Sequence, residues 1–295
     1  MAAPDKHITS SINFRKVARQ LTMVENSLPG AAELLQGLTY NNVPVTGITG
    51  PPGAGKSTLV NALIGALLAK GKKVAVLAID PTSPFNFGSL LGDRIRMAPH
   101  FNNPDVFIRS LATRGSLGGL SAKTIEMADV LKASGFDHII IETVGVGQSE
   151  VEIAGLANTT LVVLVPEAGD EIQNIKSGLM EIADAFIINK ADRDGADAFI
   201  NNLKKIIHQK EGAEIPLIRA VATQNQGIDE IAELILSPRN ENTYRHQLLL
   251  TQKAYNLIQQ NRMADVDKKK LQQQIAEALE HGDFNLYKFI ERYAR

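Results

Sequence analysis

The chain has 295 residues, with 31 Lys plus Arg against 32 Asp plus Glu, a net charge of −1, and 44% hydrophobic and 21% charged residues. That composition suits one large α/β domain with extensions, or two domains; it excludes disorder and offers no basic footprint for nucleic acid. There is no cysteine and the six histidines are scattered, which excludes disulfides, thiolate metal sites, Fe–S clusters and a catalytic thiol, and argues against zinc. No apolar run approaches a membrane-crossing helix, and the opening MAAPDKHITS lacks the apolar centre of a signal peptide. The expectation is a soluble cytoplasmic protein that engages neither membrane nor nucleic acid.

In chain order, residues 12–40 carry a helical pattern (Phe14, Val17, Leu21, Val24), broken at Pro29-Gly30 and resumed by Ala32, Leu34, Leu35 and Leu38. This predicts an N-terminal helical extension over 1–42. From residue 43, strand-like runs (43–49, 74–80, 106–110, 138–143, 160–165, 185–189, 215–220) alternate with helix-like stretches (57–70, 124–134, 196–209, 228–236). Several strands are continuously apolar, as parallel strands covered on both faces require. The fold class is therefore α/β, a domain over 43–238 with a mostly parallel central sheet flanked by helices. After Pro238 the segment 239–295 is helical and Gln-rich, and reads either as a cap on the sheet domain or as a dimerisation arm. Lys268–Lys270 reads as a solvated helix face.

The strongest chemical signal is GPPGAGKS at 50–57, which matches Gly-x-x-x-x-Gly-Lys-Ser/Thr between a strand and an apolar helix. Gly50, Pro51, Pro52, Gly53, Ala54 and Gly55 would wrap phosphate with backbone N–H groups at a helix N-terminus, Thr58 lying in its first turn. Lys56 would neutralise β/γ oxygens and Ser57 would ligate Mg²⁺. The bland alternative is a Gly-rich turn without ligand. The base is suggested by NKAD at 189–192, after the apolar run AFIIN. A buried Asp192 would accept from guanine N1–H and the exocyclic amine, Asn189 would bond the N7 side, and the Lys190 stem would pack on the ring. Adenine, without N1–H, would leave that carboxylate unsatisfied. An N-cap for the following helix is the competing reading of the aspartate. Downstream, Val221, Ala222 and Thr223 are placed to offer backbone amides to guanine O6.

Two strands end in acids, Asp80 and Glu142, where ligands sit in open α/β sheets and where Mg²⁺ or its waters would be held. The turn ETVGVG follows, with Gly145 able to donate its N–H to the γ-phosphate. Val146 stands where small GTPases place a water-orienting Gln, which predicts slow intrinsic hydrolysis; Gln148 or Glu142 would orient water, and Lys176 would stabilise charge, once a partner orders the loops. The polar loops 81–97, 109–124 and 167–178 lie at the same edge.

Taken in order and spacing, GITGPPGAGKSTL, AIDPTSP, LLGDRIRM, ATRGSLGGL, ETVGVGQSE, AGDEIQNIKSG and INKAD resemble the MeaB/ArgK family of P-loop GTPases, which includes the human mitochondrial MMAA protein. The resemblance implies a homodimeric GTPase chaperone of an adenosylcobalamin-dependent acyl-CoA mutase, typically of the methylmalonyl-CoA type. It implies GTP/GDP as bound nucleotide, Mg²⁺ near Ser57, Asp80, Asp93 and Glu142, and a third switch loop at 169–176. Phe87 and Glu167 stand where relatives carry small residues. Competing expectations are a kinase linked to arginine/ornithine transport, a metallochaperone GTPase, and a nucleotide-gated binding module without turnover.

Overall fold

The computed structural model describes residues 12–39, 42–80, 97–112, 122–143, 153–167, 179–208, 215–237, 247, 251, 254–255, 257–259, 261–280, 282 and 284–293. The chain divides into two compact units, Met1–Leu250 and Thr251–Arg295. The first is built on a seven-stranded, wholly parallel sheet of order β3-β2-β4-β1-β5-β6-β7. Its strands are β1 (Val45–Thr49), β2 (Val74–Asp80), β3 (Val106–Ala112), β4 (His138–Glu142), β5 (Thr159–Leu164), β6 (Ala185–Ile188) and β7 (Leu217–Arg219). The helices are α1 (Phe14–Glu25), α2 (Ala31–Gln36), α3 (Lys56–Ala69), α4 (Ala122–Lys132), α5 (Leu179–Ile182), α6 (Ala196–His208) and α7 (Ile228–Leu236).

Every residue of β1, β4, β5 and β6 is buried, so these strands have two covered faces and a near-continuous apolar sequence. On one face, α3 and α7 pack Leu59, Leu63, Ile231 and Ile235 against Ile48, Val76, Ile140 and Val163. On the other, α1 and α4 cover Val45, Leu77 and Ile141 through Leu21, Val24 and Leu131. The N-terminal helical prefix thus belongs to the same apolar layer as the sheet. Phe14 of α1 joins Phe107 and Phe136 in a three-ring cluster with centroids 5.6 to 6.2 Å apart. Arg109 of β3 fastens the far end of α1, donating to Glu25 at 2.6 Å and to the Thr22 hydroxyl at 3.3 Å.

In the second unit, α8 (Lys268–Glu280) and α9 (Leu286–Ile290) are short amphipathic helices. Asp267 opens α8 by accepting from the backbone N–H groups of Lys269 and Lys270, which holds its carboxyl below the usual range. Lys268–Lys270 are exposed, as the sequence predicts. No helix among the described residues is long and apolar enough to cross a membrane.

Candidate functional site

β1 lies where the strand order reverses, between β4 and β5, and the crevice beyond its carboxyl end is where an open α/β sheet binds its ligand. Residues 50–55 turn there into the N-terminus of α3. Two glycines make the turn. Gly50 has φ +138° and a Cβ on it would stand 2.1 Å from the Val163 carbonyl oxygen; Gly55 has φ +84° and its Cβ would meet the Asn189 amide nitrogen at 2.4 Å. Only glycine fits either place. Lys56, buried, folds its ammonium back over the loop and donates to the Gly50 and Pro51 carbonyls at 2.7 and 3.0 Å. Its charge therefore already lies within the loop where phosphate oxygens would come. Gly50 and Ala54 are buried, Pro51, Gly55 and Thr58 are half-buried, and Pro52 and Gly53 form the exposed tip.

Ser57, one residue into α3, donates its hydroxyl to the Glu142 carboxylate at 2.7 Å, with both side chains buried. The two groups come from elements 85 residues apart in sequence and give an oxygen-only donor pair beside the phosphate loop. That chemistry fits a hard divalent cation such as Mg²⁺. Asp80 ends β2 opposite Ala112 of β3, which puts its backbone at the same sheet edge. The Asp80 side chain, Asp93, Gly145, Gln148 and Lys176 lie outside the described residues, as do Phe87 and the loop 169–176.

Asn189 follows β6 and is buried at 2% exposure. Its amide donates to the Ala54 carbonyl at 2.9 Å, and its carbonyl accepts from the Ala222 backbone N–H at 3.2 Å. The side chain ties the phosphate loop to the 221–223 segment, its amide nitrogen donating on one side and its carbonyl oxygen accepting on the other. Lys190 adopts φ +56° and lays its stem across the loop, donating to the Gly53 carbonyl at 2.8 Å. Asp192 is exposed, where a buried carboxylate was expected. It sits on a turn rather than in the sheet, so a seated base would be what desolvates it. Val221 and Ala222 are buried and Thr223 is exposed.

Two contacts carry no signal in the linear sequence. Glu167, after β5, forms an ion pair with Arg193 of the 189–195 loop, and that guanidinium holds the Glu167 carboxyl below its ordinary range. Thr143 and Thr49, at neighbouring strand ends, share a buried hydroxyl–hydroxyl hydrogen bond of 3.0 Å.

A parallel sheet with a glycine-shaped phosphate loop at its switch point, a Lys inside that loop and a Ser–Glu pair beside it defines a P-loop nucleotide-binding domain. The family model of the methylmalonyl-CoA mutase-associated GTPase MeaB matches residues 17–280. The chain belongs to that family of GTPases. A Pyrococcus abyssi protein that carries the name GTPase is 51% identical over 233 residues, 76% of this chain and 72% of that one. The mitochondrial methylmalonic aciduria type A homolog of Mus musculus is 34% identical over 276 residues, 86% of this chain and 65% of that one. Among solved structures, an LAO/AO transport system kinase superposes with a TM-score of 0.64 at 25% identity, covering 96% of this chain and 92% of that one.

Proposed function

We propose that this protein hydrolyses GTP as the chaperone of an adenosylcobalamin-dependent acyl-CoA mutase of the methylmalonyl-CoA type, gating cofactor loading and protecting the mutase from inactivation. The observation that carries the nucleotide chemistry is the buried Ser57–Glu142 pair at 2.7 Å beside a loop whose Lys56 is already folded inward. The mutase comes from the family's description. Nucleotide phosphates occupy the N–H groups of 50–58, and Lys56 exchanges carbonyl partners for β/γ oxygens. Ser57 and Glu142, with Asp80 and Asp93, would hold Mg²⁺, which would supply neutralising charge on those oxygens. Gly145 donates its backbone N–H to the γ-phosphate.

Asp192 reads the guanine edge, Lys190 covers the ring and the 221–223 backbone meets O6, with Asn189 holding these loops in register. Gln148 or Glu142 orients the attacking water and Lys176 stabilises charge once the mutase orders the 169–176 loop, so turnover is slow without it. The 239–295 segment pairs two copies into a homodimer in the cytoplasm. A second reading, a protein kinase serving amino-acid transport, draws on the kinase name of the superposing structure. Release of labelled phosphate, and its transfer to protein, from γ-labelled GTP and ATP, in wild type and Lys56→Ala, separate the two. The proposal expects GTP-selective release that Lys56→Ala abolishes; ATP-driven transfer to a protein, or intact GTP turnover in Lys56→Ala, overturns it.

A further inference from the structure

Glu142 and Thr143 are consecutive, and alternation along the strand sends their side chains to opposite faces of the sheet. The Glu142 carboxylate meets Ser57 at the head of α3. The Thr143 hydroxyl turns the other way and donates to Thr49 Oγ1 at 3.0 Å, with Thr143 1% and Thr49 0% exposed. Thr49 is the last residue before the phosphate loop, and Ile48 pairs with Glu142 in the β1–β4 register. A backbone bond from Thr143 N–H to the Ile48 carbonyl, 3.0 Å, completes the junction. The two strand ends that deliver the phosphate loop and the metal-side carboxylate are thus joined by a backbone bond and by a dry hydroxyl that donates to Thr49 Oγ1 at 3.0 Å and also lies 3.5 Å from the Ile48 carbonyl oxygen. Glu142 itself is paired on both sides, with Ile48 of β1 and Ala78 of β2, and the Thr143 hydroxyl adds a side-chain tie at the residue that follows this last ladder pair.

We infer that Thr143 is a positioning residue: its buried hydroxyl bond to Thr49 sets where the Glu142 carboxylate stands against Ser57, and so how tightly the nucleotide complex holds its divalent cation. The inference rests on the reading that Ser57 and Glu142 hold Mg²⁺. Thr143→Val keeps the shape and removes the donor, leaving the Thr49 oxygen without it in a site closed to water. Thr143→Ser keeps the donor.

The test is the retention of a fluorescent GDP analogue while Mg²⁺ is titrated, with a parallel series in EDTA. Thr143→Val is expected to raise the Mg²⁺ needed for half-saturation about tenfold, the scale of one lost buried hydrogen bond. Its analogue affinity in EDTA stays within about twofold of wild type, because the phosphate-loop amides are untouched. Thr143→Ser recovers most of the Mg²⁺ response. Should Thr143→Val melt below the working temperature, Thr49→Val removes the acceptor instead and is expected to give the same shift. A wild-type Mg²⁺ response in both valine variants overturns the inference while leaving the metal reading intact. A wild-type protein whose retention ignores Mg²⁺ overturns the metal reading and the inference with it.

Discussion

Asn189 uses one buried carboxamide to hold two loops, with the Ala54 carbonyl on one side and the Ala222 N–H on the other. Asn189→Ala leaves both partners buried without it, which costs about 2–4 kcal/mol. Urea unfolding should read that loss, and nucleotide affinity should fall with it because both loops lose register. Asp192 makes a different prediction, since it is exposed and supports nothing internal. Asp192→Asn replaces an acceptor with a donor at the place where guanine presents its exocyclic amine and xanthine presents a carbonyl. The variant should melt at the wild-type temperature, bind GDP at least about tenfold more weakly and gain affinity for XDP. Unchanged preference for GDP would remove Asp192 from base recognition. The glycines and Lys56 were legible in the sequence because a phosphate loop needs those residues at that spacing. The structural duty of Asn189 was not, because nothing in NKAD says which protein groups its amide can reach. The Thr143–Thr49 bond was hidden for the same reason: threonine is an ordinary strand residue until the register is known.

At the scale of elements, β4 carries a second consequence. His138 at its start is wholly buried, bonded through Nε2 to the Thr46 hydroxyl at 2.9 Å, and burial with the nearby Lys72 charge lowers its pKa from 6.5 to about 4. The folded state therefore keeps the ring neutral while the unfolded chain takes up a proton below 6.5. Stability from this residue is present above that value and is lost as pH falls toward 4. Between pH 7 and pH 5 the loss is about 2 kcal/mol. His138→Gln should remove that part of the slope; equal slopes in urea titrations of wild type and variant would contradict it. Docking of α1 gives a further measure. Leu21, fully buried between α1, α4 and the sheet, should cost about 2–5 kcal/mol when cut to Ala, with nucleotide affinity unchanged because the site is on other elements. The elements themselves were readable wherever burial on both faces writes an apolar run, as in HIIIE and AFII. Prolines moved the edges. The strand expected from 43 starts at Val45, after Pro44, and the one expected from 215 starts at Leu217, after Pro216; each proline lacks a ladder donor while its carbonyl still accepts, from Ile139 and Phe186.

At the scale of the whole molecule, the unit Thr251–Arg295 has little interior of its own: among its described residues Phe289 alone is buried, and Tyr255, Met263, Leu279, Leu286 and Tyr287 are exposed. Apolar surface on that scale marks an interaction face, and the proposed occupant is a second copy of the chain. Leu279→Glu with Tyr287→Glu should shift the species seen by analytical ultracentrifugation from dimer to monomer; a monomeric wild type would remove the homodimer from the account. The amphipathic pattern made these helices legible, whereas what covers them depends on a surface that periodicity does not describe. The central claim couples the nucleotide site to a mutase. Steady-state GTP hydrolysis, with ATP as control, in the absence and presence of the host's cobalamin-dependent acyl-CoA mutase tests it most directly. The account predicts slow GTP-selective turnover that the mutase accelerates at least about tenfold, the order of effect a partner has when it completes a phosphoryl-transfer site. Tight GTP binding with turnover indifferent to the mutase would contradict it.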